Sequence, residues 1–391
     1  MTDHISRGTL ATLVLGAGMT SANLHYQAPM LSVLARDFNA PAETVGMVPM
    51  ATMIGYALGL LLLAPLGDKV EKKVLIISKL CILVAIFTTA GFAVSLPMLI
   101  VASFLVGALS GVTQDVVTVG VQIAPPEARG RVLSQVMTGV FLGILFGRIA
   151  SGLITQWVGW RGAFWFAAAI QLALVPVMAM RLPRTGTSTK LGYLALMASL
   201  WDLYRRYGKL RYAVSMQGLM LLGYGAFWAT ISPMLYAEFG LGSAVAGLFA
   251  IPGAAGAFVA ARVGRGVDRN GPSRYVGLGL AGVIGGFLLL WAGQGVIAML
   301  VLGTIVFDLG VRTAQVANQA TSFSIDPNAS SRLNSILFLH MFGAHALGAI
   351  VGSIAWARYG WDGVVAIGMV AAGIAFAVWW TWRNAWPAKA G

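Results

Sequence analysis

Four charged residues stand in stretches that are otherwise almost wholly apolar. Arg148 lies in "VFLGILFGRIASGLI" (140–154) and is the only charge between Arg131 and Arg161. Asp115 lies in "SGVTQDVVTVGVQ", and Asp308 and Arg312 share "VFDLGVRTAQ". A charge at bilayer depth costs at least about 2.5–3.5 kcal/mol, so each implies a partner or a task. A guanidinium grips a carboxylate or phosphate, and a carboxyl that changes surroundings can load and release a proton. Two cations against two anions make a neutral set. Asp308 and Arg312, one helical turn apart, can pair. Asp308 and Asp115 are the proton-coupling candidates. Arg148 and Arg312 are candidates for a charge relay or substrate anchor, with a static salt bridge as the structural alternative. Counted at ~1.5 Å per residue, Arg148 lies about 25 Å along its helix from Arg131, level with Asp308 and Arg312, while Asp115 lies lower.

Polar residues on one helical stripe mark a face turned to a cavity or partner. Gln114 lies with Ser110, Thr118 and Gln122 on one such stripe, and Gln315 and Gln319 lie with Asp308 and Arg312 on another. Asn23 and Gln27, with Thr20, mark a third, flanked by Tyr26; Gln217, Tyr224 and Trp228 mark a fourth. These are the expected cavity residues. His25 falls off its stripe and reads as a packed, hydrogen-bonded side chain. His340 and His345 are five apart, on different faces, which gives no metal pair. Trp379, Trp380, Trp382 and Trp386 read as interfacial anchors.

The elements that must hold these groups are membrane helices. Of 391 residues, 58% are hydrophobic and 10% charged, and no soluble domain of that size could cover its surface so. Apolar runs long enough for a ~30 Å core predict twelve spans: 9–35, 44–66, 74–95, 97–122, 132–157, 161–182, 211–236, 243–263, 275–293, 295–322, 333–357 and 361–383. The net charge of +13 follows the positive-inside rule: apart from Arg36, Arg161, Arg358, Arg148 and Arg312, the Lys and Arg fall on cytoplasmic segments or helix ends. Both termini are therefore expected inside, and no nucleic-acid partner is implied. The one cysteine, Cys81, reads as a small buried hydrophobe, and the N-terminus as an uncleaved helix.

The chain repeats at an offset near 200. "GDKVEKK" (67–73) is answered by "GRGVDRNGPSR" (264–274), "PPEARGR" by "DPNASSR", and "GWRG" (159–162) by "GWDG" (360–363). Two six-helix halves, 1–182 and 211–391, are expected, joined by a basic cytoplasmic linker (183–210) with an amphipathic helix around "LMASLWDLYRRY".

On these motifs the chain resembles the major facilitator superfamily from end to end. The second loop keeps the family's Gly264, Asp268, Arg269 and Gly271; the first keeps Asp68, Lys69, Lys72 and Lys73 but has Ala64 and Glu71 where glycines are usual. The resemblance implies that these residues form a cytoplasmic gate. The fifth span resembles that of the drug:proton antiporter branch in its spaced glycines, Gly139, Gly143, Gly147 and Gly152, with Arg148 in place of proline and Ser151 in place of one glycine. Glycines four apart let another helix approach closely.

The implied protein is a monomeric secondary active transporter of the inner membrane, not an enzyme and without a cofactor. It is expected to export a small organic solute or drug in exchange for protons. Import of a small anionic metabolite by proton symport, with Arg148 and Arg312 as clamps, is the first alternative; a non-transporting sensor or scaffold is the second. The sequence offers no nucleotide-binding loop and no room for a soluble catalytic domain, so the driving force is an ion gradient, with H+ expected.

Overall fold

A computed structural model describes residues 6–63, 70–125, 128–184, 193–325 and 330–383, without the side chains at 193–196, 255, 257, 258, 260, 261, 268, 323, 330, 331 and 334. Asp68, Lys69 and Trp386 lie outside the described residues. Every regular element is helical. In chain order the helices are α1 (Arg7–Ser21), α2 (Leu31–Asp37), α3 (Ala42–Val45), α4 (Met47–Leu62), α5 (Lys72–Gly91), α6 (Leu96–Leu109), α7 (Val112–Ile123) and α8 (Arg129–Trp157). There follow α9 (Trp160–Arg181), α10 (Tyr193–Arg206), α11 (Gly208–Phe239), α12 (Ser243–Leu248), α13 (Ala255–Asn270), α14 (Pro272–Ala292), α15 (Ile297–Ile325) and α16 (Ser330–Trp382).

Among the described residues, nine helices are long and apolar enough to cross a membrane. The difference from twelve has three physical sources. The first expected span is broken between α1 and α2, where short 3-10 turns cover Ala22–Leu24 and Ala28–Met30 and His25 leaves the helical region at φ −123°. Proline removes an amide and crowds the carbonyl four residues back. Pro29 stands four residues after His25, where the helix opens. The eighth is broken the same way: Pro252 stands four residues after Leu248, the last residue of α12. Pro176 and Pro233 sit inside unbroken helices, so proline alone does not decide. The eleventh and twelfth run together as α16, with Gly360 non-helical between them (φ 60°, ψ −149°).

Two compact units result. One holds residues 1–39, 51–193 and 242–248; the other holds 40–50, 194–241 and 249–391. Each thus takes in a short segment from beyond the 1–182 and 211–391 halves. In the first unit α1 lies against α8 with almost no space between backbones: a Cβ on Gly139 would strike the Val14 carbonyl, and one on Gly143 the Gly18 carbonyl. Gly147 meets Ala22, and Gly152 meets Ser243 and Gly247 of α12. In the second unit α11 and α16 repeat the arrangement, with Gly348 against the Leu222 carbonyl and Gly225 against that of His345.

The repeat is visible in the turns. Gly159 (φ 93°) and Gly360 (φ 60°) both occupy the left-handed region that L side chains avoid. After Gly159, Trp160 Nε1 and Arg161 both donate to Asp37, at 2.7 and 2.9 Å. After Gly360, Asp362 accepts from Trp291 and Gln294 at 3.1 and 2.7 Å. The hydrogen bond from Trp160, with the Arg161 guanidinium beside it, holds the Asp37 carboxyl below its usual range. Gly271 also has positive φ (80°), whereas Glu71, at the corresponding turn, has φ −56°. The glycine of the motif is needed in one copy only.

Three expectations change. Lys79, counted with the helix ends, is 4% exposed and donates to Asp115 across α5 and α7 at 2.7 Å. The interior set is therefore not neutral. Cys81 is exposed on α5 rather than buried. Trp379 is more than an anchor, because its indole donates to the Ser273 carbonyl at 2.9 Å. The linker does form a helix, α10, closing on Arg205 and Arg206.

Candidate functional site

The polar groups gather at two places, one in each unit. In the first unit the centre is the break in the first span. Arg148, on α8 and 2% exposed, reaches Nδ1 of His25 with Nη2 at 3.2 Å. One turn on, Ser151 donates to the Tyr26 carbonyl at 2.5 Å, satisfying an acceptor that the break takes out of the helix. Asn23 accepts from Gln171 of α9 at 3.0 Å. Tyr26 and Gln27 are almost fully buried, Tyr26 with its ring edge-on to Phe87. Tyr26 and Gln27 are therefore packed around the break.

In the second unit the centre is α15. Asp308, 1% exposed, accepts the Gly256 amide at 3.0 Å. Gly256 is the second residue of α13, so the carboxylate sits at a helix N-terminus, where a negative charge is favoured. Any side chain on Gly256 would strike Arg312. Arg312 Nε lies 3.8 Å from Asp308, and its Nη atoms donate to Gln315 at 2.9 Å and to the Tyr224 hydroxyl at 3.4 Å. Tyr224 carries the cluster on to His345 and Trp228, with ring centroids at 5.5 and 6.0 Å. Gln217 accepts from Asn318 at 3.0 Å.

The arrangement brings together Asp308, Arg312, Gln315 and Tyr224, with Trp228 beside them, and separately Arg148 with the turn holding Tyr26. Gln319 and Gln114 are half-buried on their helices. Asp115 joins neither centre, being held by Lys79. Of the gate residues, Lys72 is buried at the start of α5, Lys73 follows it, and Arg269 is exposed in the last turn of α13. Gly264 has open space around it, and the Asp268 side chain lies outside what is described.

Sequence reasoning missed four partners. His25 is hydrogen-bonded, as its position off the stripe suggested, but its partner Arg148 could not be read because the helix is broken there. Lys79 is the one cation in "VLIISKLCILV", a signal equal to that of Arg148. Gln171 is the only polar residue in "FAAAIQLALV", and Asn318 lies between the two glutamines already noted.

Known proteins resemble the chain over nearly its whole length. The uncharacterized transporter YgaY of Escherichia coli O157:H7 is 30% identical over 378 residues, 96% of each chain. The gallate transporter of Pseudomonas putida is 24% identical over 88% of this chain and 82% of its own. A solved bacterial homologue of the human lysosomal transporter Spinster superposes with TM-score 0.79 over 96% of both chains at 14% identity, a likeness of fold. The sequence pattern of the Major Facilitator Superfamily matches residues 10–330. With apolar helices, paired repeats and this match in agreement, the chain belongs to the Major Facilitator Superfamily and is a multi-pass membrane transporter.

Proposed function

We propose that the chain is a proton-coupled secondary transporter of a small organic anion, crossing the inner membrane twelve times with both termini in the cytoplasm and working as a monomer. The observation that carries the cargo class is the charge of the groups lying well inside the described spans, away from their ends. Lys79, Arg148 and Arg312 stand against Asp115 and Asp308, one cation in excess. A low-dielectric interior favours an anion that balances such an excess. The gallate relative supports the same class. Arg148 is the anchor in this reading, and Arg312, already bound to Asp308, completes the relay.

Asp308 remains the leading proton carrier. It touches Arg312, whose other contacts run to Tyr224 and Gln315, so a proton at Asp308 would loosen the whole cluster. Asp115 fits that task less well, because Lys79 holds it outside both centres. A second reading, export of a small organic solute or drug in exchange for protons, rests on the glycine seam of Gly139, Gly143 and Gly147, which resembles the antiporter branch.

The test uses purified protein in proteoliposomes with a pH-sensitive dye inside and an imposed proton gradient. Gallate, benzoate, lipophilic cations and neutral drugs are supplied in turn. Proton flux that accompanies a carboxylate and is lost in Arg148→Ala supports the anion reading. Flux that answers only counter-directed cations or neutral drugs replaces it with the second. Loss of coupling with retained solute exchange in Asp308→Asn identifies the carrier.

A further inference from the structure

One cavity is lined by none of the residues of either polar centre. It lies between α13, α14 and α15 and holds about 500 Å³, within the size range of small-ligand pockets. Its cause is local. A Cβ on Gly282 would strike the Gly310 backbone, and one on Gly310 that of Val283, so α14 and α15 meet backbone to backbone. Both glycines line the cavity without filling it. Val263, Val306 and Leu309 form apolar walls, and Leu278, 54% exposed, forms the lip. Beyond Arg274, α14 carries no charged residue, so its exposed leucines face hydrocarbon and the cavity opens to the bilayer.

The groove also has polar lining. Arg262, exposed on α13, is part of the wall and forms no ion pair among the described residues. Tyr275 lines it too. Its hydroxyl accepts from Asn270 at 3.4 Å, which leaves its own hydrogen for an acceptor. Arg265, Arg269 and Arg274 are exposed towards the turn that joins α13 to α14. Arg262 and Arg269 fall within about 20° of each other around α13, whereas position 268, the one acid between 262 and 274, falls about 180° from Val259 on the wall. Counted at ~1.5 Å per residue, Arg262 lies about 12 Å along α13 from Asn270, and Gly282 about 15 Å along α14 from Pro272. The groove thus spans the depth of one leaflet, about half of a ~30 Å core, and an arginine stem can lift its guanidinium towards the headgroups.

We propose that this groove seats one anionic phospholipid, with an acyl chain along Val263, Leu278 and Leu309 and the phosphate held by Arg262 and the Tyr275 hydroxyl. The two parts of the site select the two parts of the ligand. Free phosphate satisfies the guanidinium but leaves the apolar walls uncovered, and a zwitterionic lipid fills the walls but brings a cation of its own to a basic helix end. The seated lipid braces α13 against α15, and α13 is the helix whose first turn holds Asp308. The inference needs only a membrane-spanning chain and is independent of the cargo.

The test uses the full-length protein in detergent. Dioleoyl phosphatidylglycerol is titrated in and followed by native mass spectrometry and thermal unfolding, with dioleoyl phosphatidylcholine and inorganic phosphate as controls. The expected result is one phosphatidylglycerol retained and a raised unfolding midpoint that neither control matches. Arg262→Gln, at an exposed site, should weaken retention about fivefold, the usual worth of one cation near a membrane surface, and Arg262→Lys should keep part of it. Equal retention of phosphatidylcholine, or retention unchanged in Arg262→Gln, overturns the proposal. Equal stabilisation by inorganic phosphate overturns the lipid and leaves a simple anion site. A second measurement locates the chain: phosphatidylglycerol with a photoreactive acyl chain should crosslink around Leu278 and lose that crosslink in Val306→Phe, which fills the groove. Crosslinks scattered over the other helices, or undiminished in Val306→Phe, overturn it.

Discussion

Each unit places an arginine within a span, Arg148 buried and Arg312 half-buried, and they treat it differently. Arg312 meets a carboxylate on its own helix, and that carboxylate is also held by the first turn of α13. Arg148 meets a histidine at the break in another span. The first arrangement neutralises its charge inside the fold. The second sets the guanidinium against an imidazole nitrogen on a broken span. A repeated architecture therefore need not repeat its electrostatics: position 348, which answers Arg148 at the offset of the repeat, is a glycine pressed against α11. One half sets its arginine beside an acid and the other sets its arginine beside a histidine.

The sharpest way to break this contrast is to remove each arginine. Arg312→Ala leaves Asp308 buried without its cation and should cost about 3–5 kcal/mol, the usual penalty for half of a buried pair. Arg148→Ala takes one partner from the His25 imidazole and should cost about 1–3 kcal/mol, the range for a buried group that loses a hydrogen-bond partner. Thermal unfolding in detergent compares them directly, and equal losses would erase the distinction. Lys79 belongs with Arg312: Lys79→Ala should lose about 3–5 kcal/mol, most of which the double change Lys79→Met with Asp115→Leu should restore.

Packing gives a middle-sized test. Gly143→Leu and Gly348→Leu both force a side chain into a backbone-to-backbone seam, and each should lose about 1–3 kcal/mol. Similar losses in the two would confirm that the halves share their helix packing even where their charges differ.

The smallest effect belongs to the turns after Gly159 and Gly360. Asp37 and Arg161 are 43% and 41% exposed, so Asp37→Asn should lose only about 0.2–1 kcal/mol, less in high salt. Because the folded state holds the Asp37 carboxyl below its unfolded value, this contribution is complete above about pH 3.9. It fades as pH falls through the lowered value. Unfolding in Asp37→Asn should accordingly lack that acid-side component.

Much of this was legible beforehand. Apolar run lengths and the paired loops marked out the helices and the repeat, and the spaced glycines on α8 marked a close helix contact. The Asp308–Arg312 pair was readable because both residues lie on one helix, where a spacing of four is a distance. Lys79 shows the opposite case. Its partner lies on another helix, and a lysine eight residues into α5 can equally reach up to the membrane surface. His25 was legible as a hydrogen-bonded side chain but its partner was not, since a stripe drawn at 100° per residue has meaning only while the helix continues, and the chain leaves the helix at His25.

What the sequence determined by itself is therefore the set of groups whose effects act locally: which segments prefer lipid, where proline and glycine can interrupt them, and which side chains are too polar to face the bilayer. Only the tertiary structure decided who meets whom: Arg148 with His25, Lys79 with Asp115, and Asp308 with the amide of Gly256. The physical reason is range. Hydropathy and backbone propensity depend on neighbours within a few turns, whereas a buried charge is settled by contacts about 3 Å long between residues as many as 123 positions apart, and those exist only once the helices have packed.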